Sequence, residues 1–150
     1  MALEIRVLSR EWVEPLGQFF SIIRGAVEEY FHPHPFTDEF AGRMAQHTGK
    51  DLYYMLVDGR EVLAYGMLRG WDEGYDIPSL GIVVHPDSRG QGLGELLMHF
   101  LHDAARRRGA RELMLRVNRE NVAAYELYVK LGYLFGGEER GGQLVGRLTL

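Results

Sequence analysis

No cysteine occurs in the chain. Disulfides, thiolate metal sites and a covalent acyl-cysteine intermediate are therefore excluded. No apolar run approaches the roughly 20 residues that span a bilayer, and Met1 to Arg10 lacks the long apolar core of a secretory signal. Basic excess is missing as well: 17 Lys and Arg stand against 21 Asp and Glu, a formal net charge of -4. A nucleic-acid binder would carry the opposite balance. The one basic run, Arg106-Arg107-Arg108, falls at the end of an expected helix, where cations complement the dipole. Repeats, low-complexity tracts and linkers are also lacking, so residues 1–150 read as a single domain. With 46% hydrophobic and 25% charged residues the chain has the composition to bury a core and is not disordered. A soluble cytoplasmic protein with no membrane and no nucleic-acid partner is expected.

Local patterning supplies the elements. Glu4 to Leu8 alternates as a first strand. Ser9 is expected to cap a helix from Arg10 that carries Trp12, Leu16, Phe19, Phe20, Ile23 and Val27 at helical spacing. His32-Pro33-His34-Pro35 must end it, and Thr37 caps a second helix, Asp38 to about His47. Asp51 to Val57 and Glu61 to Arg69 form a hairpin about Asp58-Gly59. Gly70 to Asp76 is a polar joint, and Ser79 to Val84 a short apolar strand. A helix from Gly92 sets Leu93, Leu96, Leu97, Phe100, Leu101 and Ala104 on one face and stops at Gly109. Glu112 to Val117 reads as a strand and Asn121 to Leu131 as a helix ended by Gly132. Tyr133 to Phe135 and Leu144 to Leu150 are closing strands joined by the glycine-rich Gly136 to Gly142. The order β-α-α-β-β-β-α-β-α-β-β is that of a mixed α/β layer protein.

One segment concentrates chemistry: Val83-Val84-His85-Pro86-Asp87-Ser88-Arg89-Gly90-Gln91-Gly92-Leu93-Gly94. An apolar strand runs into a glycine-rich turn and then a helix. Glycines permit close backbone approach, and free amides at a helix start bind anions such as a pyrophosphate. The spacing is not a P-loop, because no Lys-Ser or Lys-Thr follows the last glycine. Nor is it a dinucleotide fingerprint, since the glycines fall at 90, 92 and 94 and the end of the next strand holds Arg116 and Val117.

Arg89-Gly90-Gln91-Gly92-Leu93-Gly94 after a strand ending in His85-Pro86 resembles the coenzyme A pyrophosphate loop of the GNAT superfamily of N-acetyltransferases. Leu115-Arg116-Val117-Asn118, Asn121, Ala124, Leu127-Tyr128 and Leu131-Gly132-Tyr133 resemble the strand, helix and strand that follow in that family. The resemblance is strongest over residues 79 to 136. It implies a mixed, mostly antiparallel central sheet of about seven strands flanked by about four helices. It also implies acetyl-CoA as acyl-donor cosubstrate and transfer of an acetyl group to a primary amine. Ile82, Val83 and Val84 would pair with the pantetheine arm as an added strand does. The backbone of Arg89, Gly90, Gln91, Gly92, Leu93 and Gly94 would hold the pyrophosphate. Asn121 would contact the cofactor arm, and Tyr128 would protonate the leaving thiolate. Asn121 also suits a helix cap. A tyrosine hydroxyl with pKa near 10 is roughly matched to a thiol near 8.5.

With no cysteine to carry the acyl group, direct transfer in a ternary complex is expected. An attacking amine must lose a proton. Many family members use a glutamate before the phosphate loop, where this chain reads Asp76-Ile77-Pro78-Ser79. Glu73 and Asp76 are the nearby proton-acceptor candidates. His32 and His34, held extended by prolines where the first two helices meet, are candidates for contact with the acceptor. His85 is expected to shape its turn. The His-Pro, Trp71 and Tyr75 segments read as lids, which favours a small acceptor such as an amino sugar or amino acid. A protein N-terminus or lysine as acceptor, and a non-catalytic acyl-CoA-binding module, are the other readings. A homodimer is compatible with the sequence.

Overall fold

The computed structural model describes residues 2–25 and 33–150. The strands are β1 (Leu3–Val7), β2 (Leu52–Asp58), β3 (Glu61–Arg69), β4 (Ser79–Val84), β5 (Glu112–Asn118), β6 (Leu134–Arg140) and β7 (Gln143–Thr149). The helices are α1 (Val13–Ile23), α2 (Asp38–Ala45), α3 (Leu93–Arg107) and α4 (Val122–Lys130). Element order is the expected one. The seven strands make one sheet in the order β1-β2-β3-β4-β5-β7-β6. Every neighbouring pair is antiparallel except β4 and β5, which run parallel.

Several boundaries differ for identifiable reasons. Arg10–Trp12 forms a tight 3-10 turn ahead of α1, with Ser9 joined through its carbonyl, 3.0 Å from the Trp12 amide, and not through its side chain. Val27 lies outside the described residues. Thr37 caps α2 as expected, its Oγ1 accepting from the Phe40 amide at 3.1 Å. The β2–β3 hairpin turns one residue later than expected, at Gly59-Arg60, because Asp58 pairs with Glu61 across the ladder. Gly59 supplies the positive φ of +60°. Gly136 and Gly137 are strand, not loop: β6 runs through them with a register irregularity between Phe135 and Glu139. Glycine inside a strand marks such a bulge. The connecting turn is Gly141-Gly142.

Two cores form, one on each face of the sheet. On one face α1 and α2 bury Trp12, Leu16, Phe19, Phe20 and Ile23 against Tyr53, Met55, Tyr65, Met67 and Val83. On the other, α3 and α4 bury Leu93, Leu97, Met98, Leu101 and Tyr128 against Leu80, Leu113, Leu115 and Val117. The buried stripe of α3 is Leu93, Leu97, Met98, Leu101, His102 and Ala105. It is rotated from the stripe expected from sequence: Leu96 is 45% exposed, and Phe100 meets Tyr54 at the helix flank. Both stripes have helical spacing, and the buried one includes the polar His102.

His102 is buried because its Nε2 lies 2.9 Å from the Tyr133 hydroxyl. The other core holds a matching pair. His34 Nδ1 donates to the Pro35 carbonyl at 2.8 Å, so its Nε2 accepts from the Tyr65 hydroxyl at 2.8 Å. Burial, above all else, holds both imidazoles down to about 4. The unfolded chain titrates these groups near 6.5 and so binds protons that the native state refuses. Native stability is therefore complete above that value and is lost as pH falls from 6.5 toward 4. Each histidine should remove about 2 kcal/mol between pH 7 and pH 5. Urea unfolding at the two pH values measures this, and His102→Gln should flatten the dependence. An equal midpoint at both pH values in the parent protein would refute the assignment.

Candidate active site

The site is created by a strand pair that parts. β4 and β5 share one register pair, Ser79 with Met114, and one nearby bond, from the Met114 amide to the Pro78 carbonyl at 3.1 Å. Beyond it the strands diverge. β4 remains paired to β3 from Arg69↔Ser79 to Ala64↔Val84. Its alternate main-chain groups, over Gly81 to Val84, thus face a gap and not a neighbouring strand. Ile82 and Val84 turn their side chains to the α3/α4 core and Val83 to the other. The strand is fixed by packing while its β5-facing edge stays open.

The turn after β4 leads straight into α3. His85 shapes it as expected: its Nδ1 accepts from the Asp87 amide at 3.0 Å. Gly90 and Gly92 adopt φ of +77° and +78°, a left-handed region that disfavours other residues. A Cβ built on either would meet no protein atom within 4 Å. The glycines are thus required by backbone conformation and leave the turn's outer side open for close approach. Gly94 is different: it has no positive φ, and a Cβ there would meet Val84 Cγ2 at 3.4 Å and Leu127 Cδ2 at 3.7 Å, an ordinary contact. Gly92 caps α3 without a side chain, and the first amides of this 15-residue helix have no capping oxygen. Free amides, the dipole end and Arg89 fit a pyrophosphate.

Past the gap, α4 presents Tyr128. Its ring is buried in the cluster that includes Leu80 of β4 and Val117 of β5, with the Tyr133 ring 5.9 Å away. Its hydroxyl makes no hydrogen bond among the described residues. Burial pushes its pKa up to about 12. The rough match to a thiol expected from sequence is accordingly replaced by a group that keeps its proton firmly. Asn121 caps α4, its Oδ1 3.4 Å from the Ala124 amide, and its side-chain NH2 makes no hydrogen bond among the described residues.

On the opposite face, α1 and α2 cover the sheet only as far as β4. A cleft of about 780 Å³ opens there over β5, β7 and β6, lined in part by Ser79, Leu80, Gly81 and Met114 at the start of the gap. Glu73 and Asp76 both line it, as does Tyr75, 63% exposed. Trp71 does not. It packs toward the α3/α4 core under the Arg108 guanidinium, 5.5 Å away, which also gives Arg108 a structural task. His34 is near the cleft through Pro33 but buried: both ring nitrogens are bonded and its ring stacks on Phe40 at 3.9 Å. His32 lies outside the described residues.

Sequence reasoning missed two features. Arg69, Arg116, Arg140 and Arg147 all line the cleft although scattered along the chain. Arg69 also anchors the rim, donating to the Pro33 carbonyl at 2.6 Å. The second feature is a pair of carboxylates that fixes the joint. Buried Asp51 accepts from the Gly70 and Asp72 amides at 3.0 and 3.2 Å. Asp72 in turn accepts from the Lys50 and Asp51 amides at 2.6 and 3.3 Å, bonds that together with His47 hold its carboxyl below the usual range. Carboxylates beside glycine turns are common, so no local signal distinguishes these two.

Among the solved structures that share this architecture are acetyltransferases. The GNAT domain of S. lividans PAT superimposes with a TM-score of 0.85 at 17% identity, covering 99% of this chain and 90% of that one. The PaiA N-acetyltransferase of Thermoplasma acidophilum, in complex with coenzyme A, gives 0.82 at 17% identity over the whole of both chains. At that identity the likeness is one of fold. Membership comes from sequence: residues 17–133 match the acetyltransferase (GNAT) family model, and the chain belongs to that family. Among curated relatives, streptothricin acetyltransferase of Streptomyces lavendulae is 43% identical over 56 residues, 37% of this chain and 30% of that protein. The [ribosomal protein bS18]-alanine N-acetyltransferase of Escherichia coli (strain K12) is 44% identical over 52 residues, 35% of each. The chain thus spans about a third of the curated relatives it matches. Among the described residues, no helix is long and apolar enough to cross a membrane and no group of three or more His, Asp and Glu could hold a metal.

The carboxylate clamp has a measurable consequence. Asp51→Ala removes the acceptor of two part-buried amides, which should cost about 1 kcal/mol in chemical unfolding. A loss below about 0.5 kcal/mol would show that the joint holds without it.

Proposed function

We propose that this chain is an acetyl-CoA-dependent N-acetyltransferase that passes the acetyl group directly to a primary amine, a small molecule, within a ternary complex. The observation that carries the reading is the single β4–β5 rung, which leaves an open strand edge leading into a glycine turn and an uncapped helix. Acetyl-CoA supplies the activated thioester. Family membership and the coenzyme A complex of the T. acidophilum neighbour support that choice. The two named relatives act on unlike acceptors and match this chain over about a third of its length, so neither acceptor is carried over.

Each residue then has a task. The main chain of Ile82, Val83 and Val84 binds an extended amide-bearing arm by strand addition. The amides of Arg89 to Gly94 and the Arg89 side chain bind the pyrophosphate. Asn121 offers its free NH2 to the arm. Tyr128, protonated throughout the neutral range, donates a hydrogen bond to the departing sulfur. With its pKa raised, full proton transfer at rest is uphill by about 3 to 4 pH units, so its hydroxyl stabilises charge developing on sulfur. Glu73 or Asp76, in the cleft, takes the amine proton through water. His34, bonded at both nitrogens, shapes the acceptor wall and is not the base. An acid limb of kcat/KM should consequently not carry a pKa near 6.5 from this residue.

Acetyl-CoA should bind with Kd in the micromolar range, about -8 kcal/mol by calorimetry. Absence of heat and of thermal shift at millimolar acetyl-CoA would end this reading. Tyr128→Phe removes a hydroxyl with no described partner. It should leave Tm and acetyl-CoA affinity nearly unchanged while lowering kcat about 100-fold. An unaltered kcat would reduce Tyr128 to a packing residue.

A further inference from the structure

Charge in the cleft runs against the charge of the molecule. The chain carries a formal net charge of -4, yet the cleft collects Arg69, Arg116, Arg140 and Arg147 against Glu73 and Asp76. The sheet explains how they meet. Register pairs put Arg147 opposite Met114, and Arg140 opposite Gln143, which itself faces Asn118. Side chains directly opposite one another share a face. Arg116, two residues after Met114, therefore shares that face as well, the one that α1 and α2 leave bare.

The arginines are not equivalent. Arg69 is committed to the Pro33 carbonyl. Arg140 and Arg147 share Glu138, each at 3.2 Å. Arg116 is exposed and makes no ion pair or side-chain hydrogen bond among the described residues. It also has the most telling position. The last β4–β5 rung is at Met114, so Arg116 stands on the first stretch of β5 from which β4 has departed, at the mouth of the gap. One strand residue advances about 3.3 Å, which sets its Cα about 7 Å beyond the rung. An amine presented to the gap would bring a group two to four bonds from its nitrogen within reach of this guanidinium.

We infer that the acceptor is a primary amine bearing a carboxylate, an amino-acid-like molecule, and that Arg116 reads the carboxylate. The inference rests on the acetyltransferase reading and narrows its acceptor. A guanidinium binds carboxylate through paired N–H donors, and Arg116, unlike Arg140 and Arg147, has no carboxylate partner among the described residues. Amino sugars and polyamines, lacking an anionic group, would meet a surface of like or indifferent charge.

Thiol release from acetyl-CoA, followed with amino acids and with their carboxamides, tests this at low and moderate salt. The wild type should favour the carboxylates at least tenfold in kcat/KM, with KM rising as salt is added. Arg116→Gln should collapse that preference to within about twofold, and Arg116→Lys should restore part of it. Turnover of carboxamides or plain amines in preference to carboxylates overturns the inference, as does turnover of neither set. Loss of acetyl-CoA affinity in Arg116→Gln, with discrimination retained, overturns it too by moving Arg116 to the donor side. Calorimetry with acetyl-CoA alone reports separately on the acetyltransferase reading. Binding there with no carboxylate preference sinks only the acceptor class, whereas no binding sinks the reading beneath it.

Discussion

A parallel strand pair joined by one rung is the constraint on which the rest of this structure depends. A sheet normally satisfies the main chain of every interior strand on both sides. β4 is interior by position, between β3 and β5, but an edge strand over most of its length. That arrangement persists because β4 is held on its other side by β3 and by side chains buried in both cores. The glycine turn continues the same theme. It leads from β4, whose β5-facing main-chain groups are open beyond the rung, to the first turn of α3, whose N-terminus has no side-chain cap.

The two helical layers determine what reaches that run. α3 and α4 close the sheet on one face and bury Tyr128 in the core there. α1 and α2 stop at β4 on the other face and leave β5, β7 and β6 as a floor. The gap therefore joins two unlike environments. One is apolar and raises the pKa of a tyrosine; the other is wet and charged. A donor held along β4 would lie between them.

Much of this was legible locally. The element order, the Thr37 and Asn121 caps, the turn at His85 and the glycine loop all rest on signals within a few residues, and each is found in the structure. What failed locally needed long-range information. The α3 stripe is rotated toward His102, whose burial depends on a bond to Tyr133, 31 residues away. The β6 glycines looked like a loop because bulge and turn share a composition. His34 suggested a reactive group until Tyr65 and Phe40 closed around it. The cleft arginines were invisible for the plainest reason: residues 69, 116, 140 and 147 become neighbours only through the strand order β3-β4-β5-β7-β6. The direction of the Tyr128 shift likewise depends on burial that no spacing encodes.

The joint between β3 and β4 is divided into a fixed part and a displayed part. Asp51 grips its Gly70 and Asp72 amides, the Asp72 carboxylate ties it back to the Lys50 and Asp51 amides, and the Gly70 carbonyl holds the Glu73 and Tyr75 amides at 3.2 and 3.0 Å. The side chains of Glu73, Tyr75 and Asp76 project outward from this frame and support nothing in the sheet. Substitutions at those positions should cost little in stability, although on the proposed reading Glu73 or Asp76 must be kept as the proton acceptor. On the proposed reading, in which the displayed side chains face the acceptor, the joint is the natural place to retarget the protein by directed evolution.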